Sequence, residues 1–290
     1  MARHTYLCPL RWADLDQLGH VNNVTYVDYL QEARVDMLSV HAAIRGGEEL
    51  AEGVVVVRHE VDFVAPLLFR PEPVRIDTWV SRVRAASFVL SYEIYDEAPD
   101  GTRTVYLRAR SVMAPYVFAT EAPRRLTEDE RETLSRMTDP GGVEVRPRSG
   151  RVSRDPGGAA LHHYDCHVRF SDVDLYRHVN NVKYFEYFQE ARIVLFSGLE
   201  RPEGARVPSV VVAALDVDYE APVLLAAQPY PVTSWVSRQG TSSVEITSQL
   251  AAPDGAVLSR ARATLVTFDP VTQRAAPAPD WFQRSLRPGP

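Results

Sequence analysis

Apolar positions along the chain change period in a fixed order, and that order occurs twice. "VTYVDYLQEARVDML" places Val24, Val27, Leu30, Ala33 and Met37 at helical spacing, and "VKYFEYFQEARIVLF" does the same with Val182, Phe185, Phe188, Ala191 and Leu195. The spacing predicts helices over about 23–40 and about 181–197. "VRIDTWV" and "VEITSQL" alternate with period two and are rich in β-branched residues, as half-buried strands are. Four β segments follow each helix, at about 53–64, 73–83, 86–96 and 103–118, and again at about 208–219, 229–238, 242–251 and 256–268. A further strand, "TYLCPLRW" or "YDCHVRF", precedes each helix. Short turns containing Gly or Pro imply antiparallel pairing. One helix and five antiparallel strands per half make an α+β fold.

The two halves are copies. Residues 14–34, "DLDQLGHVNNVTYVDYLQEAR", and 172–192, "DVDLYRHVNNVKYFEYFQEAR", agree at thirteen of 21 positions. Downstream, "TWVSR" answers "SWVSR", "APDG" recurs, and "RAR" recurs, with the offset shrinking from 158 to 152 as loops shorten. Such self-similarity marks a duplicated unit. Residues 138–160, rich in Gly, Pro, Ser and Arg and bracketed by two "DPGG" runs, read as an exposed linker. Domain one is then 1–137 and domain two 161–290. Each isolated sheet leaves open edges, which pairing of two units would relieve.

Composition narrows the function. A net charge of −6 argues against nucleic acid as a partner, since phosphate binding calls for a basic face. Cys8 and Cys166 occupy equivalent repeat positions and lack metal spacing, so they read as small buried strand residues rather than ligands or a disulfide framework. No metal site is expected. The N-terminal stretch lacks the apolar core of a signal peptide, and no run of about 18 apolar residues occurs, so no membrane span is expected and the cytoplasm is the default compartment.

The candidate chemistry lies in the repeated motif. Asp16 and Asp174 each sit in a polar turn before a helix, four residues ahead of His20 or His178. A carboxylate beside the unpaired N–H groups of a helix start can attack a carbonyl or activate a water, while those N–H groups hold an oxyanion. That combination suits acyl transfer. The plainer reading is that Asp14 and Asp16 only close turns. His20 and His178 are open between general base, carbonyl donor and structural residue. Asn22, Asn23, Asn180 and Asn181 are open between capping the helix and orienting substrate through their side-chain amides, with capping the first choice for Asn22 and Asn180. The backbone N–H groups of Asn23 and Asn181 are the better oxyanion candidates. Glu32, Arg34, Glu190 and Arg192, with Tyr26, Tyr29, Tyr184 and Tyr187, read as helix packing and surface ion pairs.

A strand ending R-[WF]-x-D-x-D, then x-x-G-H-V-N-N, then a helix ending E-A-R resembles the 4-hydroxybenzoyl-CoA thioesterase family of hotdog-fold proteins. The resemblance covers both halves. It implies two tandem hotdog domains, each an antiparallel sheet wrapped around a long helix, together forming a pseudo-dimer. It also implies that Asp16 and Asp174 are the catalytic carboxylates and that the N–H groups of Asn23 and Asn181 polarise the thioester carbonyl. One departure is Arg177, which stands where the first copy has Gly19.

The function expected on this basis is hydrolysis of an acyl-CoA thioester to a carboxylic acid and CoA. His20 and His178 would position the loop or the carbonyl. No cofactor is needed, since CoA arrives as part of the substrate. Arg82, Arg84 and Arg238 are candidates to meet its phosphates, because guanidinium suits phosphate geometry, with strand-end surface Arg as the alternative. An acyl-ACP thioesterase and a non-catalytic acyl-CoA sensor are the competing functions. Further homo-oligomerisation of the chain is compatible with this reading.

Overall fold

The computed structural model describes residues 3–42, 53–139, 152–269, 271–272 and 274–286. The chain divides into two compact units, Met1–Arg148 and Ser149–Pro290. In the first, β1 (His4–Cys8) leads through a tight turn to α1 (Thr25–Ala42), followed by β2 (Val54–Phe63), β3 (Val74–Val83), β4 (Phe88–Glu97) and β5 (Arg103–Val117). A two-residue β6 (Ala122–Pro123) and α2 (Glu128–Arg136) close the unit. The strands order as β1-β3-β4-β5-β2, every neighbour antiparallel.

The second unit repeats this plan. It comprises β7 (His162–Cys166), α3 (Lys183–Ser197), β8 (Val210–Tyr219), β9 (Tyr230–Gln239), β10 (Ser243–Ala251), β11 (Val257–Asp269), β12 (Arg274–Ala275) and α4 (Asp280–Ser285). Its main strands order as β7-β9-β10-β11-β8, again antiparallel throughout.

Helix α1 packs on β1 and β3. Its apolar stripe of Val27, Leu30, Ala33 and Met37 is buried, as the spacing predicts. Facing it are rows of strand residues in register. Ile76–Ile94–Leu107–Phe63 is one row and Val80–Leu90–Ser111–His59 another. Register partners share a face, so each row presents one continuous surface to the helix. Cys8 and Cys166 are buried free thiols, and burial pushes each up to about 12, which keeps them protonated and inert.

Several expectations are corrected. Both helices begin two residues later than the periodicity suggests, at Thr25 and Lys183, because the chain first makes a turn closed by Asn22 or Asn180. The first strand stops at Cys8, since Pro9 supplies no N–H to extend the ladder. Arg34 and Arg192 are buried rather than at the surface, and neither shows an ion pair among the described residues. Desolvation holds Arg192 down to about 10. Helix α2 was not expected, although Thr127 and Glu130 form a reciprocal capping box at its start.

Residues 140–151 of the expected linker lie outside the described residues. Its described flanks are tied to their own units. The Asp139 N–H donates to the Val80 carbonyl at 3.0 Å, and buried Val152 donates its N–H to Asp218 Oδ2 at 3.0 Å. No described helix is long and apolar enough to cross a membrane.

Candidate active site

The turn between β1 and α1 is built by its own backbone. The Asp16 N–H donates to the His20 carbonyl at 2.7 Å, and the Gly19 N–H donates to the Asp16 carbonyl at 3.1 Å. The side chain completes the loop, with Asp16 Oδ1 accepting from the Leu18 N–H at 2.8 Å and the His20 N–H at 3.2 Å. One carboxylate oxygen is therefore committed to holding the turn. Oδ2 takes no hydrogen bond among the described residues. The second copy is the same, with Asp174 Oδ1 accepting from the Tyr176 and His178 N–H groups at 2.8 and 3.2 Å. Each Asp thus does what the plainer reading assigns to it and leaves something over. It closes a turn, and it presents an uncommitted oxygen at a fixed place.

The turn is then docked on the loop between β2 and β3. The Val21 N–H donates to the Leu67 carbonyl, and His20 bridges Leu68. Asn22 accepts the Val24 N–H on Oδ1 at 3.1 Å and the Thr25 N–H on its carbonyl at 2.9 Å, closing a turn just ahead of the helix where a helix cap was expected. Asn180 does the same for Val182 and Lys183. Asn23 follows at the helix entrance. Its backbone N–H has no acceptor among the described residues, and its side-chain Nδ2 is buried without a partner.

Two residues read only as packing turn out to organise the site. The Tyr29 hydroxyl, from the second turn of α1, donates to Asp14 Oδ2 at 2.5 Å, and the same oxygen accepts the Arg11 N–H at 2.7 Å. Tyr187 and Arg169 treat Asp172 identically, at 2.7 and 2.9 Å. Burial, followed by the bond to the carboxylate, pushes both phenols far up. Tyr26 and Tyr184 accept the N–H groups of Leu67 and Val223, joining each helix to the loop beside the turn. The signal available in sequence was a Tyr recurring 15 positions after the first Asp of the motif in both copies.

Comparison with known proteins now bears on this arrangement. The sequence profile of the thioesterase-like superfamily matches residues 10–134 and again residues 168–286. The chain belongs to the thioesterase-like superfamily. It is 32% identical over 117 residues to the long-chain acyl-CoA thioesterase FadM of Escherichia coli, covering 37% of this chain and 83% of that protein. Among solved structures it resembles a candidate oleoyl thioesterase from Lactobacillus plantarum, at 18% identity and TM-score 0.71, over 92% of this chain and 96% of that one. The 12:0-ACP thioesterase from Umbellularia californica is similar at 14% identity and TM-score 0.68, over 92% and 97%. At those identities the likeness establishes a hotdog-like fold and nothing finer.

Within this superfamily fold, each unit brings together Asp16, His20, Asn22 and Asn23, or Asp174, His178, Asn180 and Asn181. It does not bring the arginines to them. Arg82 and Arg238 are exposed near the ends of β3 and β9, and Arg84 lies in the turn after β3. β1 and β7 enter their turns at the opposite ends of those strands, where Cys8 pairs Val74 and Cys166 pairs Tyr230. The separation is roughly 25 Å of strand within one unit. Among the described residues no three His, Cys, Asp or Glu side chains are grouped to hold a metal.

The copies differ in detail. Gly19 and Arg177 both have positive φ, 77° and 66°, a conformation that costs Arg about 1–2 kcal/mol and Gly nothing. Asn181 Nδ2 donates to Asn180 Oδ1 at 3.1 Å, and the Asn181 carbonyl accepts the Tyr219 hydroxyl at 2.8 Å. The residue matching Tyr219 in the first unit is Phe63, which has no hydroxyl to offer. Asp16 is half-buried, whereas Asp174 is exposed.

Proposed function

We propose that this chain hydrolyses acyl-CoA thioesters, with Asp16 and Asp174 as the reactive carboxylates. The observation that carries the reading is the division of labour on the Asp, one oxygen clamped by two N–H groups and the other uncommitted, repeated in two copies. The uncommitted oxygen either attacks the thioester carbonyl, forming an anhydride that water then cleaves, or takes a proton from the water that attacks it. In both routes the C–S bond breaks, the sulfur leaves as a thiolate and is protonated, and the acyl group ends as a carboxylate. The N–H of Asn23 or Asn181, at the positive end of its helix, stabilises the oxyanion. His20 and His178 hold the loop through their backbones, each accepting the Asp N–H and donating to its side chain. The reaction consumes water and calls for neither metal nor redox cofactor. In this reading the two units are copies of one hotdog domain, each with its helix embraced by its own sheet.

The test is a matched series of acyl-CoA and acyl-ACP substrates, with thiol release followed by a thiol-reactive dye. The buried, protonated cysteines of the enzyme contribute no background. Release from CoA esters at the higher kcat/KM supports the proposal. A preference for the protein-borne series moves the assignment to acyl-ACP, and binding without release makes the chain an acyl-CoA sensor.

A further inference from the structure

The face of the first sheet that meets α1 is not uniformly apolar, and its polarity is ordered. Tyr26, at the start of α1, stacks edge-on against Phe63 at 5.6 Å between ring centroids, so the row Ile76–Ile94–Leu107–Phe63 lies nearest the Asp16 turn. The next row, about 7 Å further along the strands, is Thr78–Tyr92–Ala109–Val61. The third contains His59 and Ser111, joined Nδ1 to Oγ at 2.8 Å. Thr78 and Tyr92 are opposite one another, 0% and 1% exposed. Thr78 Oγ1 and the Tyr92 hydroxyl are both buried without a hydrogen-bond partner. Burying such groups unpaired is costly, and native structures rarely tolerate it without a use for them.

In the second unit the same helix-facing positions have their hydroxyls settled, while the unpaired Thr247 Oγ1 belongs to the opposite face of its strand, in register with Trp235. By strand register, Ser234 and Ser248 occupy the places of Thr78 and Tyr92, and they bond to each other at 2.7 Å. Leu215 and Ala263 replace His59 and Ser111. The polar interior with unpaired hydroxyls therefore belongs to the first unit and is not dictated by the fold.

We infer that the interior of the first unit recognises an acyl group bearing a hydroxyl or oxo oxygen remote from the thioester carbonyl, with Tyr92 and Thr78 as the specificity-determining residues. An acyl chain entering past the Asp16 turn meets an apolar row first and the two hydroxyls after it, so the substituent lies beyond the first stretch of methylenes. The inference rests on the thioesterase reading for the identity of the substrate.

The test is calorimetric titration of the full chain with free carboxylic acids of one length, unsubstituted and with a hydroxyl or oxo group scanned along the chain. It requires no turnover, so a failure to hydrolyse thioesters refutes the proposed function without deciding this one. A remote substituent is expected to tighten binding about 10-fold or more. Tyr92→Phe is expected to erase that advantage, leave the unsubstituted acid unaffected and not lower Tm, because the hydroxyl removed has no internal partner. Thr78→Val should act in the same direction and serves if the first variant folds poorly. Equal binding of all the acids, or an advantage that survives both substitutions, overturns the inference.

Discussion

Asp16→Asn is expected to remove most of the kcat at saturating acyl-CoA and Asp174→Asn a smaller share, with the loss of about 10²-fold or more reached only when both are replaced. The motif is nearly identical in the two copies, and the asymmetry comes from what surrounds it. In the first unit the donors of Asn23 are uncommitted among the described residues and Asp16 is held half-buried. In the second, the Asn181 side chain donates to Asn180 Oδ1, its carbonyl is clasped by the Tyr219 hydroxyl, and Asp174 stands in solvent near a strained Arg177. Asn is the informative replacement. Its Oδ1 can still accept the Leu18 and His20 N–H groups, so the turn survives while the reactive oxygen becomes an amide nitrogen. Equal losses in the two variants would refute the asymmetry. A larger loss from Asp174→Asn would mean that Arg177 assists the chemistry.

A second large effect is expected on stability. Removing both helix-to-turn hydroxyls with Tyr29→Phe and Tyr187→Phe breaks two hydrogen bonds to carboxylates, each contributing about 1.5–3 kcal/mol. The denaturant midpoint should fall accordingly, and activity should fall with it as the Asp14 and Asp172 anchors loosen. The pH dependence has a defined sign. The phenols are raised in the folded state, so they retain protons that the unfolded chain loses above about pH 10. Their contribution is complete below that pH and is lost as pH climbs through and beyond it. The double Phe variant should therefore show a shallower alkaline decline than the parent. An unchanged midpoint and an unchanged alkaline limb would show that the two bonds contribute nothing net.

Much of this architecture is legible in sequence because duplication prints each signal twice. The helix stripe, the alternating strands and the turn between them follow from periodicities that a single copy shows weakly and two copies show together. What escaped has a common cause. The helix start slipped by two residues because Asn22 spends its side chain on Val24, a local hydrogen bond that competes with the helical pattern. Arg34 was assigned to the surface because a charged residue near Glu32 usually lies there, whereas it is buried with its Nη1 unpartnered, which the helical pattern of apolar positions does not signal. The difference between Asn23 and Asn181 cannot be seen in the motif at all. Part of it comes from Tyr219, 38 residues away in sequence, whose hydroxyl donates to the Asn181 carbonyl where the first unit has Phe63. The pairing of Thr78 with Tyr92 likewise depends on strand register, which the alternation on each strand does not specify by itself.

The measurement that reaches the centre of the account is CoA thiol release by the doubly substituted chain, Asp16→Asn with Asp174→Asn, beside the parent, with folding of both checked by circular dichroism and Tm. The expected result is a folded protein of nearly unchanged Tm that still binds acyl-CoA and releases thiol at least about 10²-fold more slowly. Near-normal release from that folded variant would contradict it, and would place the chemistry somewhere other than the two aspartate turns.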